Sequence, residues 1–101
     1  MDGDGRLTSD LIRERLSREV LRSRRLAAAL AEAHERVARD EEQTAVAYEA
    51  LADLHPARAD LREKARRARE AAGIARECAR WAAGIAHRVA QREAGREEES
   101  A

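Results

Sequence analysis

The stretch YEALADLHPARADL, residues 48–61, contains the only proline of a 101-residue chain. Either the chain reverses at His55-Pro56 or one long rod is kinked there. Proline lacks a backbone N–H and is tolerated at the first position of a helix, where that donor has no partner in any case. It also pushes the residue before it out of helical geometry. Residues 8–54 contain neither Gly nor Pro, so the pattern predicts one helix over about 8–54 and a second over about 56–96. Thr8, Ser9 or Asp10 would cap the first. Residues 1–7 and 97–101 read as flexible tails, the second acidic, around a single domain over 8–96.

The apolar spacing favours reversal over a kinked rod. In the first helix Ala27, Leu30, His34, Val37, Glu41, Thr44, Tyr48 and Leu51 follow alternating steps of three and four, the spacing of a coiled-coil seam. The second helix repeats it in Leu61, Ala65, Ala68, Ala72, Ala75, Ala79, Ala82, Ala86 and Val89. Folding at the proline sets Leu51 against Leu61, and sets large residues on alanines further out, Val37 against Ala75 and Leu30 against Ala82. Charge agrees with this register. Residues 32–53 hold seven acidic and two basic side chains, whereas residues 57–80 hold eight basic and four acidic ones. The expected fold is therefore all-α, an antiparallel two-helix hairpin.

Composition limits the core. Apolar residues make up 44% of the chain and charged residues 40%, with one Trp, one Tyr and no Phe. Alanine supplies most of the apolar count, so long helices meeting along narrow seams are expected, with stability supplied in part by a partner chain. The hairpin leaves two apolar sets uncovered: Ile74, Cys78, Trp81 and Ile85 on the second helix, and Leu11, Ile12, Leu16 and Val20 at the start of the first. These are expected to form the interface of a homodimer, a four-helix bundle; a groove for another protein's amphipathic helix is the second reading.

Other chemistry finds less support. The formal net charge is zero, which gives no overall bias toward nucleic acid or an anionic membrane. Arg13, Arg18, Arg22, Arg24 and Arg25 would be the phosphate contacts of an alternative, nucleic-acid-associated reading, but acidic neighbours cancel their charge. His34 and Glu41 form a polar point on the seam, and with Cys78 they sketch the least favoured reading, a metal-binding bundle. The Glu-x-x-His spacing of di-iron bundles is absent, since Ala31, Ala52 and Gly84 precede the three histidines at that distance. Glu41 is expected to reach Arg69. No catalytic residues, cofactor, small-molecule substrate or membrane contact are expected. One cysteine, an N-terminus without a signal pattern and a single lysine among twenty basic residues suggest a bacterial cytosolic protein. Gly73 and Gly84 read as points of close helix approach.

Small secreted helical hairpins with a Trp-x-Gly turn are similar in length. Here the motif is Trp81-Ala82-Ala83-Gly84, within the second helix, and Ala52 stands where their export signal has an acid four residues after Tyr48. Both defining features are missing, so no family is assigned.

Overall fold

The computed structural model describes residues 2–100, apart from the side chains of residues 2–4, 6 and 100. It consists of two long helices, α1 (Asp2–Leu54) and α2 (Ala59–Ser100), with no strand among the described residues. Ion pairs that diverge in number from the turn establish the antiparallel hairpin: Asp53–Arg62, Glu49–Arg69, Glu42–Arg76 and Glu93–Arg24. The molecule extends over 83 × 22 × 13 Å with a radius of gyration of 23.0 Å, against about 13 Å for a compact domain of this length.

Both helices run further than their sequence boundaries. Residues 2–7 and 97–100, expected as tails, continue α1 and α2; residues 1 and 101 lie outside the described residues. Propagating an existing helix adds one hydrogen bond per residue fixed, and no described glycine adopts a positive φ that would interrupt it. Pro56 does not open α2. His55–Arg58 form a turn in which the Arg58 N–H donates to the His55 carbonyl at 3.0 Å, placing Pro56 at the second turn position that its fixed φ suits. The His55 N–H still donates to Leu51 at 2.9 Å and so ends α1. Asp60, in the first turn of α2, accepts two hydrogen bonds from Arg58. That bond, first among its causes, holds the Asp60 carboxyl below its ordinary range, and its negative charge suits a helix N-terminus.

The α2 seam is the expected one, with Leu61, Ala65, Ala68, Ala72, Ala75, Ala79 and Ala82 all buried. The α1 seam differs by one residue in half of its positions. Ala38, Ala45 and Ala52 are buried, with Ala31 half-buried above them, whereas Leu30, Val37 and Leu51 are 44%, 48% and 42% exposed. Thr44 is also exposed, its hydroxyl donating to the Asp40 carbonyl. Ala27, His34, Glu41 and Tyr48 keep their expected seam column but are only half-buried. The contact is therefore alanine on alanine, not large on small. Two alanine faces can approach until their backbones nearly meet; a Leu or Val column would hold them apart. Counted outward from the turn, Ala52, Ala45, Ala38 and Ala31 fall level with Leu61, Ala68, Ala75 and Ala82, each pair of numbers summing to 113.

Charges fix the same rotation. Glu42 and Glu49 sit at the edge of the alanine column and pair with Arg76 and Arg69. Arg69 therefore binds Glu49 and not Glu41, which stands on the other side of the seam. Lys64 lies 5.8 Å from the centre of the Tyr48 ring, within reach of a cation–π contact.

Gly73 and Gly84 are not close-approach points. A Cβ at Gly73 would have nothing within 4 Å, and one at Gly84 would meet only Arg88 Nη1 at 4.0 Å. Gly73→Ala should therefore stabilise the hairpin by roughly 0.5–1 kcal/mol through helix propensity alone, raising the melting temperature by about 2–8 °C. Ala38→Leu, at a fully buried seam position, should destabilise by about 1–3 kcal/mol through overpacking. Thermal melts by circular dichroism check both.

Candidate interaction surface

An antiparallel helix pair has two edges flanking its seam. Here their chemistries are opposite. One edge carries Glu42 and Glu49 of α1 opposite Arg76 and Arg69 of α2. Arg69 binds Glu49 through two nitrogens, at 2.5 and 2.9 Å. Those hydrogen bonds are the largest influence and outweigh the opposing desolvation; with smaller contributions from the charges of Arg69 and Arg62 they draw the Glu49 carboxyl below its ordinary range. The same hydrogen bonds raise Arg69, and the bond to Glu42 raises Arg76.

The other edge is apolar on both helices. On α1 a second alternation of four and three runs through Ile12, Leu16, Leu26, Leu30, Ala33, Val37, Ala47, Leu51 and Leu54, interrupted by Glu19, Ser23, Asp40 and Thr44. On α2 it runs through Ile74, Cys78, Trp81 and Ile85. Ile74 and Trp81 are 62% and 63% exposed, while Cys78 and Ile85 are half-buried. Because 3.6 residues make a turn, each stripe lies roughly a quarter-turn from the alanine seam of its own helix. The two stripes form one face, densest where Leu26–Val37 lies alongside Ile74–Ile85.

The residues expected to meet a partner are thus divided. Ile74, Cys78, Trp81, Ile85, Ile12 and Leu16 lie on this face. Val20 belongs to the alanine seam column and is half-buried, and Leu11 is exposed on the outer side of α1. Leu11 and Ile12 also stand beyond the level of Ser100, because α1 has 53 residues and α2 only 42. Leu30, Val37 and Leu51 are the residues that sequence reasoning placed in the seam, and Leu26 is one it did not assign; the alternating step pattern from Ile12 to Leu54, despite its four polar interruptions, carried the signal.

The polar candidates are dispersed. His34 and Glu41 border the apolar face from the seam column, and Cys78 lies on the face itself. No group of three or more His, Cys, Asp or Glu among the described residues is arranged to hold a metal ion. Arg24 is bound to Glu93 at 3.6 Å, and Arg13 lines a groove with Glu93, Glu97 and Glu99. Arg18, Arg22 and Arg25 are exposed on the outer side of α1, in one stripe with Arg15, Arg36 and Arg39. No described helix is long and apolar enough to cross a membrane.

Fold and surface together define a class: an extended antiparallel hairpin with one ion-paired edge and one apolar face. No protein-family model, curated protein or solved structure matches the chain.

The lowered Glu49 carboxyl sets a pH dependence. Its pairing contributes stability that is full above the unfolded glutamate pKa and is lost as pH falls through the lower folded value. Melting temperature should drop on acidification from pH 7 toward pH 3, and Glu49→Gln should lose less over that interval than the parent chain.

Proposed function

We propose that the chain is a non-enzymatic interaction module that works as a homodimer, an adaptor or scaffold in a bacterial cytosol, built by two hairpins stacking through their apolar faces into a four-helix bundle. The single observation that supports this reading is the continuous apolar face from Leu26–Val37 to Ile74–Ile85, set about a quarter-turn from the intrachain seam. A helix in a square bundle needs two such faces at that angle. Area argues the same way. The chain exposes 8140 Å², whereas a folded monomer of its size exposes roughly 5,700 Å². Elongation accounts for part of the difference, yet a standard interface takes only about 800 Å² from each partner.

The test is mass in solution. Light scattering should return twice the 11.3 kDa of one chain. Trp81→Glu or Val37→Glu should shift the protein to monomer at micromolar concentration, weakening association about a hundredfold. Val46→Glu should leave the dimer intact, because Val46, 57% exposed, lies on the opposite side of α1. A parent chain that is monomeric, or a dimer indifferent to both face variants, would sink this reading.

A second reading rests on the exposed stripe of Arg15, Arg18, Arg22, Arg25, Arg36 and Arg39, none of which takes an ion pair with another described residue. Such a stripe would contact a phosphate backbone, with binding strongest at low salt. Fluorescence anisotropy with a labelled duplex near 50 mM salt should show binding that Arg18→Glu/Arg22→Glu removes; no binding under those conditions would end this alternative.

A further inference from the structure

The apolar face fits two arrangements of a second copy, and the charges at its margins choose between them. Next outward from the stripe on α1 stand Arg15, Arg22, Ala29, Arg36, Gln43 and Ala50, with no acid among them. The corresponding positions on α2 are Glu63, Glu70, Glu77, Gly84, Gln91 and Glu98, with no base. The charged residues of one margin of the face are therefore all basic and those of the other all acidic.

Two hairpins can stack about a two-fold axis perpendicular to the helices. Each α1 then lies on its twin, each α2 on its twin, and the two turns point in opposite directions. That arrangement sets arginine against arginine on one side and glutamate against glutamate on the other. A two-fold axis parallel to the helices instead lays each α1 over α2 of the second copy, with both turns at one end. Each margin then sets the basic column of one copy beside the acidic column of the other. We propose, resting on the dimer reading above, that the second copy takes this same-end arrangement.

Heights along the bundle support the choice. An axis parallel to the helices fixes the two copies level, with no freedom to slide. Positions that are level within one hairpin, whose numbers sum to about 113, are then level between copies. Arg36 falls beside Glu77 of the second copy and Arg15 beside Glu98. Glu77 and Glu98 take no ion pair with a described residue in the single chain, whereas Glu63 and Glu70 already accept Arg66. Trp81 falls near Leu30, Ala33 and Ala29, where small neighbours leave room for the indole. The partner that this surface fits best is a second copy of this chain, pointing the same way.

The experiment places a spin label at the turn, at exposed Ala57, on a genetically encoded ketone side chain so that Cys78 on the apolar face is left unchanged, after light scattering has shown the oligomeric state of that labelled chain. Same-end packing puts the two labels within about 30 Å, the width of two or three helices with their linkers. Opposite-end packing centred on the Leu30–Trp81 region puts them about 70 Å apart, since that region lies some 24 residues from the turn at 1.5 Å each. A dimer with the short distance is the expected result. A dimer with the long distance overturns this arrangement and leaves the dimer reading standing. A monomer overturns both and leaves the face to a different partner. As a second check, Arg36→Glu should weaken the dimer about tenfold across its two symmetric sites and Glu77→Arg should restore it in the double variant; a double variant no tighter than the single one counts against the pairing.

Discussion

Everything in this hairpin follows from how closely two alanine faces approach. The α2 seam offers methyl groups at every position from Ala65 to Ala82, and only a helix presenting its own methyl groups can settle against it without holding the backbones apart. On α1 that requirement selects the column Ala31, Ala38, Ala45 and Ala52. The adjacent column, Leu30, Val37, Thr44 and Leu51, would bury more apolar area, but at the cost of separating the helices and losing contact along the rest of the seam. One residue of rotation decides it. The same rotation brings Glu42 and Glu49 within reach of Arg76 and Arg69, and it turns the leucines and valine outward.

A close seam of small side chains has an energetic consequence. The area removed from water per residue is small, and among the described residues no large side chain is fully buried. Long helices gain little from propensity alone and depend on a packed apolar face. The one packed face here is narrow, and the wider apolar face carries the leucines, isoleucines and the tryptophan. In a domain with one core the large residues would be inside. Their position outside, in a stripe as regular as the buried one, motivates the proposed pairing of two hairpins more strongly than any single exposed residue.

Legibility in the sequence tracked how many alternatives each element had. The reversal was legible because Pro56 is the only proline and because acidic and basic arms flank it. The α2 seam was legible because its apolar series runs through nearly the whole helix, from Leu61 to Val89, whereas the competing stripe spans only Ile74 to Ile85. On α1 two apolar columns lie side by side, and ranking by size points to the wrong one; the deciding fact, that the opposing face is all methyl groups, belongs to the pair and not to α1. The exchange of Glu41 for Glu49 as the partner of Arg69 follows from the same rotation. The extra turns at both helix ends and the displacement of Pro56 into the turn reflect local hydrogen bonding, where sequence boundaries are weakest. Of the candidate surface, the α2 half was legible as the stripe around Trp81, while most of the α1 half was hidden in the misassigned column.

Charge in this molecule selects more than it stabilises. Exposed ion pairs contribute little free energy each, and the pairs Glu42–Arg76 and Glu49–Arg69 are no exception at their accessible edge. Their effect lies in the difference between arrangements that bury similar apolar area. A wrong rotation of α1 would leave both arginines facing exposed aliphatic side chains, so modest pairs suffice to disfavour it. The outer margins repeat this logic on a larger scale. A margin on one helix whose charged residues are all arginine and a margin on the other whose charged residues are all glutamate are compatible with a single hairpin in any orientation, since neither margin touches the other within the chain. Their separation acquires a physical consequence only when a second apolar face is laid on the first, where it distinguishes like-charge from opposite-charge edges in two otherwise equivalent stacks.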